Sequence, residues 1–239
     1  DPLYSSQTNI TSTNIDDVWE QYTTGDGSQV IAILDTGGDY THPDLEANTW
    51  INELELNGVE GYDDDGNGYV DDIRGWDFIH QDNAPLDDNM HGTHVAGIAG
   101  AVGNNGIGIA GAAWNVKLMH VKVFQASGQG NATNIAAGVE YASTNGATIL
   151  NMSFGSYAES NTLKTALEYA YNTTILVAAA GNDGICIGPL YPCAPFFPAA
   201  YTYVLGVEDR PIGSAGYTNF DQDGPIATNW IIQQLNYEL

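Results

Sequence analysis

The apolar positions of the chain gather in short continuous blocks: "QVIAILDTG", "NVKLMHVKVF", "ATILNMSFG", "TILVAAAGN" and "YVLGVE". A strand with one wet face alternates apolar and polar residues, whereas a strand buried on both faces does not. These runs therefore predict a parallel sheet covered on both sides. Between them, "ATNIAAGVEYASTNG" and "SNTLKTALEYAYNT" place apolar residues at helical spacing, and each precedes a strand-like run. The pattern is that of βαβ units and predicts an α/β fold, a doubly wound parallel sheet with helices on both faces. "VAGIAGA" reads as one further, tightly buried helix.

In such sheets a ligand lies outside the carboxyl ends of the strands. The polar residues that immediately follow the apolar runs are Asp35, the turn Ser153-Phe154-Gly155, and Asn182. No internal repeat, low-complexity tract or linker interrupts the pattern, and "NELELNGVEGYDDDGNGYVDD" looks like an excursion between strands, not a boundary. At 239 residues and 43% hydrophobic, the chain can bury the core of one large domain, and no second domain is required. It has no run of eighteen or more apolar residues and no basic-then-apolar start, so we expect neither a membrane span nor a signal peptide, but a mature or excised segment.

Charge narrows the partners. Thirty Asp plus Glu against five Lys plus Arg give a formal charge of −25, which would repel a phosphate backbone, so nucleic acid is not expected to bind. The excess fits a saline habitat, bound cations, or solubility through self-repulsion. The two cysteines, Cys186 and Cys193, sit in "GICIGPLYPC" and are either a local disulfide or two free thiols. Multi-cysteine zinc is excluded by count.

Asp35 closes a buried strand. A carboxylate there must accept hydrogen bonds to stay ionised, which suits it to orient a histidine, although an Asp at this place can also cap the next turn. "NMHGTHVAGIAG" carries His91 and His94 three residues apart. Zinc clamps on helices use histidines four apart with an intervening Glu, which this stretch lacks. A pair of core histidines, or one base beside a structural neighbour, remain. Asn182, after a strand and a glycine, could serve as a turn residue or as an amide donor to a developing oxyanion.

Taken in order, "AILDTGGDYTHPDL", "HGTHVAGIAGAVGNNGIGIAG", "ILNMSFG" and "LVAAAGNDG" resemble the subtilisin-like serine proteases, the subtilase family. The resemblance implies peptide-bond hydrolysis by a Ser-His-Asp triad. It makes Asp35 the triad aspartate, His91 the general base, His94 a buried structural histidine and Asn182 the oxyanion donor. It assigns Ser153, Phe154, Gly155, Ala179, Ala180 and Gly181 to the substrate cleft. It also implies a secreted monomer acting on protein or peptide substrates, with a cleaved N-terminal propeptide.

The sequence departs from that pattern in two places. The Gly-Thr-Ser-x-Ala block is absent, and "DGPIATNWIIQQLNYEL" resembles what precedes it in relatives. We therefore expect residues 1–239 to be one incomplete catalytic domain, with the nucleophile beyond Leu239. Ser214 lacks the strand-turn-helix setting of a nucleophile. The second departure is Gly38, where the family usually has a branched apolar residue; this is expected to loosen the turn beside Asp35.

"DDDGNGYVDD" offers Asp63, Asp65, Asn67, the Tyr69 carbonyl and Asp71 at alternating positions, the first part of a calcium loop. Arg74 stands where the full motif wants a Glu, so Asp72 is the candidate to complete the shell. We expect structural calcium there; the rival reading is a solvated acidic turn. By family analogy a second site would use Asp44, Asn105 and carbonyls of "NNGIGI". Two other functional readings compete with the protease: a non-catalytic pseudo-protease that binds peptides or a partner, and a calcium-binding structural module.

Overall fold

The computed structural model describes residues 1–183 and 194–207, together with the backbone of 186–187 and 220–221. Six strands form one sheet: β1 (Val30–Asp35), β2 (Gly75–Asp77), β3 (Lys117–Lys122), β4 (Ile149–Met152), β5 (Ile175–Ala179) and β7 (Leu205–Val207). Their order is β2-β3-β1-β4-β5-β7, every pair parallel. The backbones of β6 (Cys186–Ile187) and β8 (Phe220–Asp221) make a separate parallel pair. The helices are α1 (Thr8–Ser12), α2 (Ile15–Gln21), α3 (Glu53–Leu56), α4 (His91–Gly100), α5 (Ala132–Thr144) and α6 (Asn161–Ala170). Among the described residues no helix is long and apolar enough to cross a membrane. The side chains of Cys186 and Cys193, and all of Ser214, lie outside the described residues.

The unbroken apolar runs are explained by two cores on opposite faces of β1. Ala32 and Leu34 join Val139, Ala142, Leu163 and Leu167 under α5 and α6. Ile31 and Ile33 join Val95, Ala96 and Ala99 of α4. Because successive strand side chains point to opposite faces, a strand sandwiched in this way can afford no polar position until its end. In α6, Leu163, Ala166, Leu167 and Ala170 repeat at the helical interval and are the buried face. Asn131 and Ser160 cap α5 and α6 by accepting backbone N–H bonds from Asn134 and Leu163.

The five runs read as strands are β1, β3, β4, β5 and β7. Strand β2 was not foreseen, since "GWD" is three residues emerging from the acidic excursion and has no period to detect. The chain leaves β1 for the far edge, returns through β3 to β1's side, then builds β4, β5 and β7 on the other side. Strand order thus reverses at β1, and the crevice at its carboxyl end is where such a sheet opens for a ligand.

Candidate active site

Asp35 is the last residue of β1 and only 2% exposed. Its Oδ1 accepts the Thr36 backbone N–H at 2.7 Å and faces Nδ1 of His91, also at 2.7 Å. An ionised carboxylate only accepts, so Nδ1 carries the proton and Nε2 is the basic nitrogen. His91 opens α4, and Gly92 brings the helix against the β1 turn: a Cβ on Gly92 would lie 2.0 Å from the Gly37 carbonyl oxygen. No larger residue allows this approach.

The two histidines of "HGTH" have opposite electrostatics. The hydrogen bond to Asp35 raises the His91 pKa above the ordinary value, against the opposing effect of burial. For His94, burial and then the nearby His91 lower it. The His91 ring is thus easier to protonate than an ordinary imidazole and the His94 ring harder. The resemblance made His94 a buried residue, but it is half-buried: it lies on the first turn of α4, before the helix enters the core at Val95.

A cavity of about 190 Å³ lies beside the pair, and Asp35, His91, Asn89, Phe124, Ser153 and Phe154 are among the residues lining it. Phe124 and Phe154 meet edge to face at 4.9 Å and build an aromatic wall. Asn151 donates to the Ser153 hydroxyl at 2.9 Å. Phe124 was missed in the sequence, where it looks like the last apolar residue of the "VKVF" run; its position just past β3 was the available signal.

The other cleft candidates sit at the same end of the sheet. Met152 and Ala178 are register partners in β4 and β5, so Ser153–Gly155 and Ala179–Asn182 leave neighbouring strands side by side. Gly155 packs on the Phe196 ring, where a Cβ would come within 2.2 Å. Ala180 is buried and donates to the Val207 carbonyl. Gly181 has φ +99°, and Asn182 beyond it is exposed.

A sequence model of the subtilase family matches residues 26–210. The chain belongs to the subtilase family. It is 37% identical to the thermophilic serine proteinase of Bacillus sp. (strain AK1) over 212 residues, 87% of this chain and 45% of that protein. It is also 37% identical to thermitase of Thermoactinomyces vulgaris over 184 residues, covering 77% of this chain and 55% of thermitase. Similarity to halolysin of Haloferax mediterranei is 35% over 230 residues, 95% of this chain and 39% of halolysin. This subtilase chain thus spans about half or less of the length of these curated relatives.

The acidic excursion of this subtilase folds around carboxylates from three places. Glu55, Asp65 and Asp72 bring oxygens within 4.8 Å of one another. Glu55 and Asp72 are buried, at 3% and 0% exposed. Burial raises the Asp72 pKa, while hydrogen bonds from Tyr141, Asn67 and Asn52 oppose the rise. The Asn52 and Asn67 amides each donate to both Asp65 and Asp72. The sequence reading missed Glu55, which comes from α3 and accepts the backbone N–H groups of Asp64, Asp65 and Asp71.

The remaining loop candidates are occupied with the turn itself. Asp63 accepts from the backbone N–H groups of Gly66, Asn67 and Gly68, and Asp71, at φ +55°, accepts from Gly61. The Tyr69 ring packs edge-on against Trp76, Phe78 and Tyr141. At the second candidate site, Asp44 accepts from Asn105 Nδ2 and the Ile109 N–H. Asp1, which the sequence reading omitted, accepts from the N–H groups of Asn104, Asn105 and Gly106.

Proposed function

We propose that this chain supplies the orienting acid, the general base and the oxyanion donor of a secreted serine endopeptidase, and that the nucleophile comes from a Gly-Thr-Ser-x-Ala segment outside residues 1–239. The observation that carries this reading is the 2.7 Å contact between Asp35 and His91 at the end of β1, beside a cavity shared with Ser153 and Phe154. In the whole protein, His91 Nε2 takes the serine proton as Oγ attacks the peptide carbonyl. Asp35 stabilises the imidazolium, and Asn182 donates to the tetrahedral oxyanion. His91 then returns the proton to the leaving amine. Protein or peptide substrates follow from this chemistry, and a removable propeptide fits the same reading.

Calcium belongs to this proposal. Three carboxylates packed together, two of them buried, repel one another unless a cation or donor groups intervene, and hard oxygen ligands suit calcium. Glu55, Asp65 and Asp72 would hold the ion, which would neutralise the cluster and tie α3 to the loop. The amides of Asn52 and Asn67 border the same oxygens.

The test of the protease reading is the protein expressed from its source gene, read through and past the codon for Leu239. His91→Ala should cost on the order of 10⁵-fold or more in kcat, the scale known for subtilisin of the same family. Asn182→Ala should cost roughly 10² to 10³-fold, again the subtilisin scale. Peptide hydrolysis by His91→Ala at the parent rate would refute the assignment.

A further inference from the structure

We propose that Asp87 is a positioning residue of this site: acting through Thr36, it holds the strand that carries Asp35 and the helix that carries His91 in one fixed register. The inference rests on the reading of Asp35 and His91 as orienting acid and base. It starts from a helix that lacks an ordinary cap. Met90, the residue before α4, is left-handed at φ +89° and makes no side-chain cap. The first N–H groups of α4 must then find acceptors elsewhere.

Asn89 Oδ1 accepts the His91 N–H at 3.3 Å, Thr36 accepts that of Gly92, and Asp87 accepts that of Thr93 and braces the turn ahead of the helix. One oxygen of Asp87, Oδ2, accepts the Thr93 N–H at 2.8 Å and the Thr93 hydroxyl at 2.6 Å. The other, Oδ1, accepts the N–H groups of Asn89 at 2.9 Å and Met90 at 3.1 Å, the two residues just ahead of His91. Oδ1 also accepts the Thr36 hydroxyl at 2.8 Å. Burial would push the Asp87 carboxyl up, but these hydrogen bonds outweigh it and hold it below the ordinary carboxylate value. The carboxylate form that accepts all five bonds is therefore the favoured one.

Thr36 is the bridge. It follows Asp35 in the chain and is only 2% exposed. Its hydroxyl donates to Asp87 and accepts the Gly92 N–H at 3.0 Å, on the residue after His91. One hydroxyl and one carboxylate thus grip the neighbours of both members of the pair. A second tie runs in parallel: Lys122, 1% exposed and the register partner of Asp35, donates from Nζ to the Thr36 carbonyl and to Asp88 Oδ1. The His91 ring is half-exposed and cannot be fixed by packing alone, so its orientation depends on where its backbone is held.

The experiment is ring-nitrogen NMR of His91 in the protein expressed from its source gene, read through and past the codon for Leu239, with His91→Ala identifying the signal. The parent should titrate above the ordinary histidine value and show a slowly exchanging Nδ1 proton. Thr36→Val keeps the side-chain shape and the Asp87 charge but removes the bridge. It should speed exchange of that proton by roughly tenfold or more, as loss of one supporting hydrogen bond allows, and move the titration toward the ordinary value. Thr36→Ser should restore both. A folded Thr36→Val with the parent's proton and titration overturns the positioning role and leaves the acid–base pair standing. A parent without the slow proton and raised titration overturns the pair itself, and the inference with it. If circular dichroism shows Thr36→Val unfolded, Asp87→Asn decides: loss of the slow proton supports the role, and its retention overturns it.

Discussion

The imidazole of His120 occupies the space that a side chain at position 38 would need: a Cβ on Gly38 would lie 2.0 Å from His120 Nδ1. Gly38 is held by its N–H to the Pro85 carbonyl at 2.9 Å, so the turn beside Asp35 is not loosened by this glycine, as its departure from the family pattern suggested. Gly38→Val should therefore destabilise the chain by about 1–3 kcal/mol through overpacking. Combined with His120→Ala, the same change should recover at least roughly 0.5 kcal/mol over the sum of the single effects. Urea unfolding of the four proteins measures the cycle, and strict additivity would show that the two positions do not share space.

His120 also sets an acid limit. It is fully buried, neither ring nitrogen has a partner among the described residues, and burial pushes its pKa down to about 4. The unfolded chain, titrating at the ordinary 6.5, binds the proton more tightly. Stability from the neutral ring is therefore complete above pH 6.5 and is lost as pH falls toward 4, by about 3 kcal/mol in all. Carboxylates titrate nearby, so the quantity to compare is the unfolding free energy at neutral and acid pH in the parent and in His120→Gln. Equal acid losses in both would mean that His120 is not the source.

For His91 the sign is reversed, and it bears on activity. As the proposed general base His91 must be deprotonated to act, and hydrogen bonding to Asp35 raises its pKa above 6.5. In the protein carrying its serine segment, the acid limb of kcat/KM should have its midpoint above pH 6.5. Asp35→Asn should move that limb to lower pH and reduce kcat by roughly 10⁴-fold, as the ring loses its fixed tautomer. An unmoved limb would place the titrating group elsewhere.

The fold was legible because apolar strand runs leave a clear signature: Val30–Leu34, buried on both faces, has no polar break before Asp35, Ile175–Ala179 is apolar throughout, and only Asn151 interrupts the run ending at Met152. The Asp35–His91 pair was legible through order and context, which the carboxyl-end rule turned into a place. What sequence could not give was anything assembled by side chains distant along the chain. Asp87 looks like one acid among many in "LDDNM", and only folding brings it to Thr36. Glu55 sits on a four-residue helix outside the loop that reads as a calcium motif. The reading based on alternating oxygens favoured Asp63 and Asp71, whereas those carboxylates brace backbone N–H groups.

That last contrast gives a test that separates two calcium shells. If the cluster of Glu55, Asp65 and Asp72 holds the ion, removing calcium with a chelator should lower the melting temperature of the parent. At calcium roughly a hundredfold above Kd the bound ion contributes about 2.7 kcal/mol. For a domain of this size that is a shift of about 5–10 °C. Glu55→Gln weakens a ligand of the folded cluster without altering the loop sequence, so its melting temperature should lose most of its response to the chelator. Asp71→Asn, by contrast, leaves the cluster intact and should keep that response, since among the described residues its carboxylate receives only the Gly61 N–H. The opposite pattern, with Glu55→Gln still sensitive and Asp71→Asn insensitive, would return the ion to the linear loop. A parent whose melting temperature ignores the chelator would leave the acidic excursion a turn held by its own hydrogen bonds, with Asn52 and Asn67 sufficient to quiet its charges.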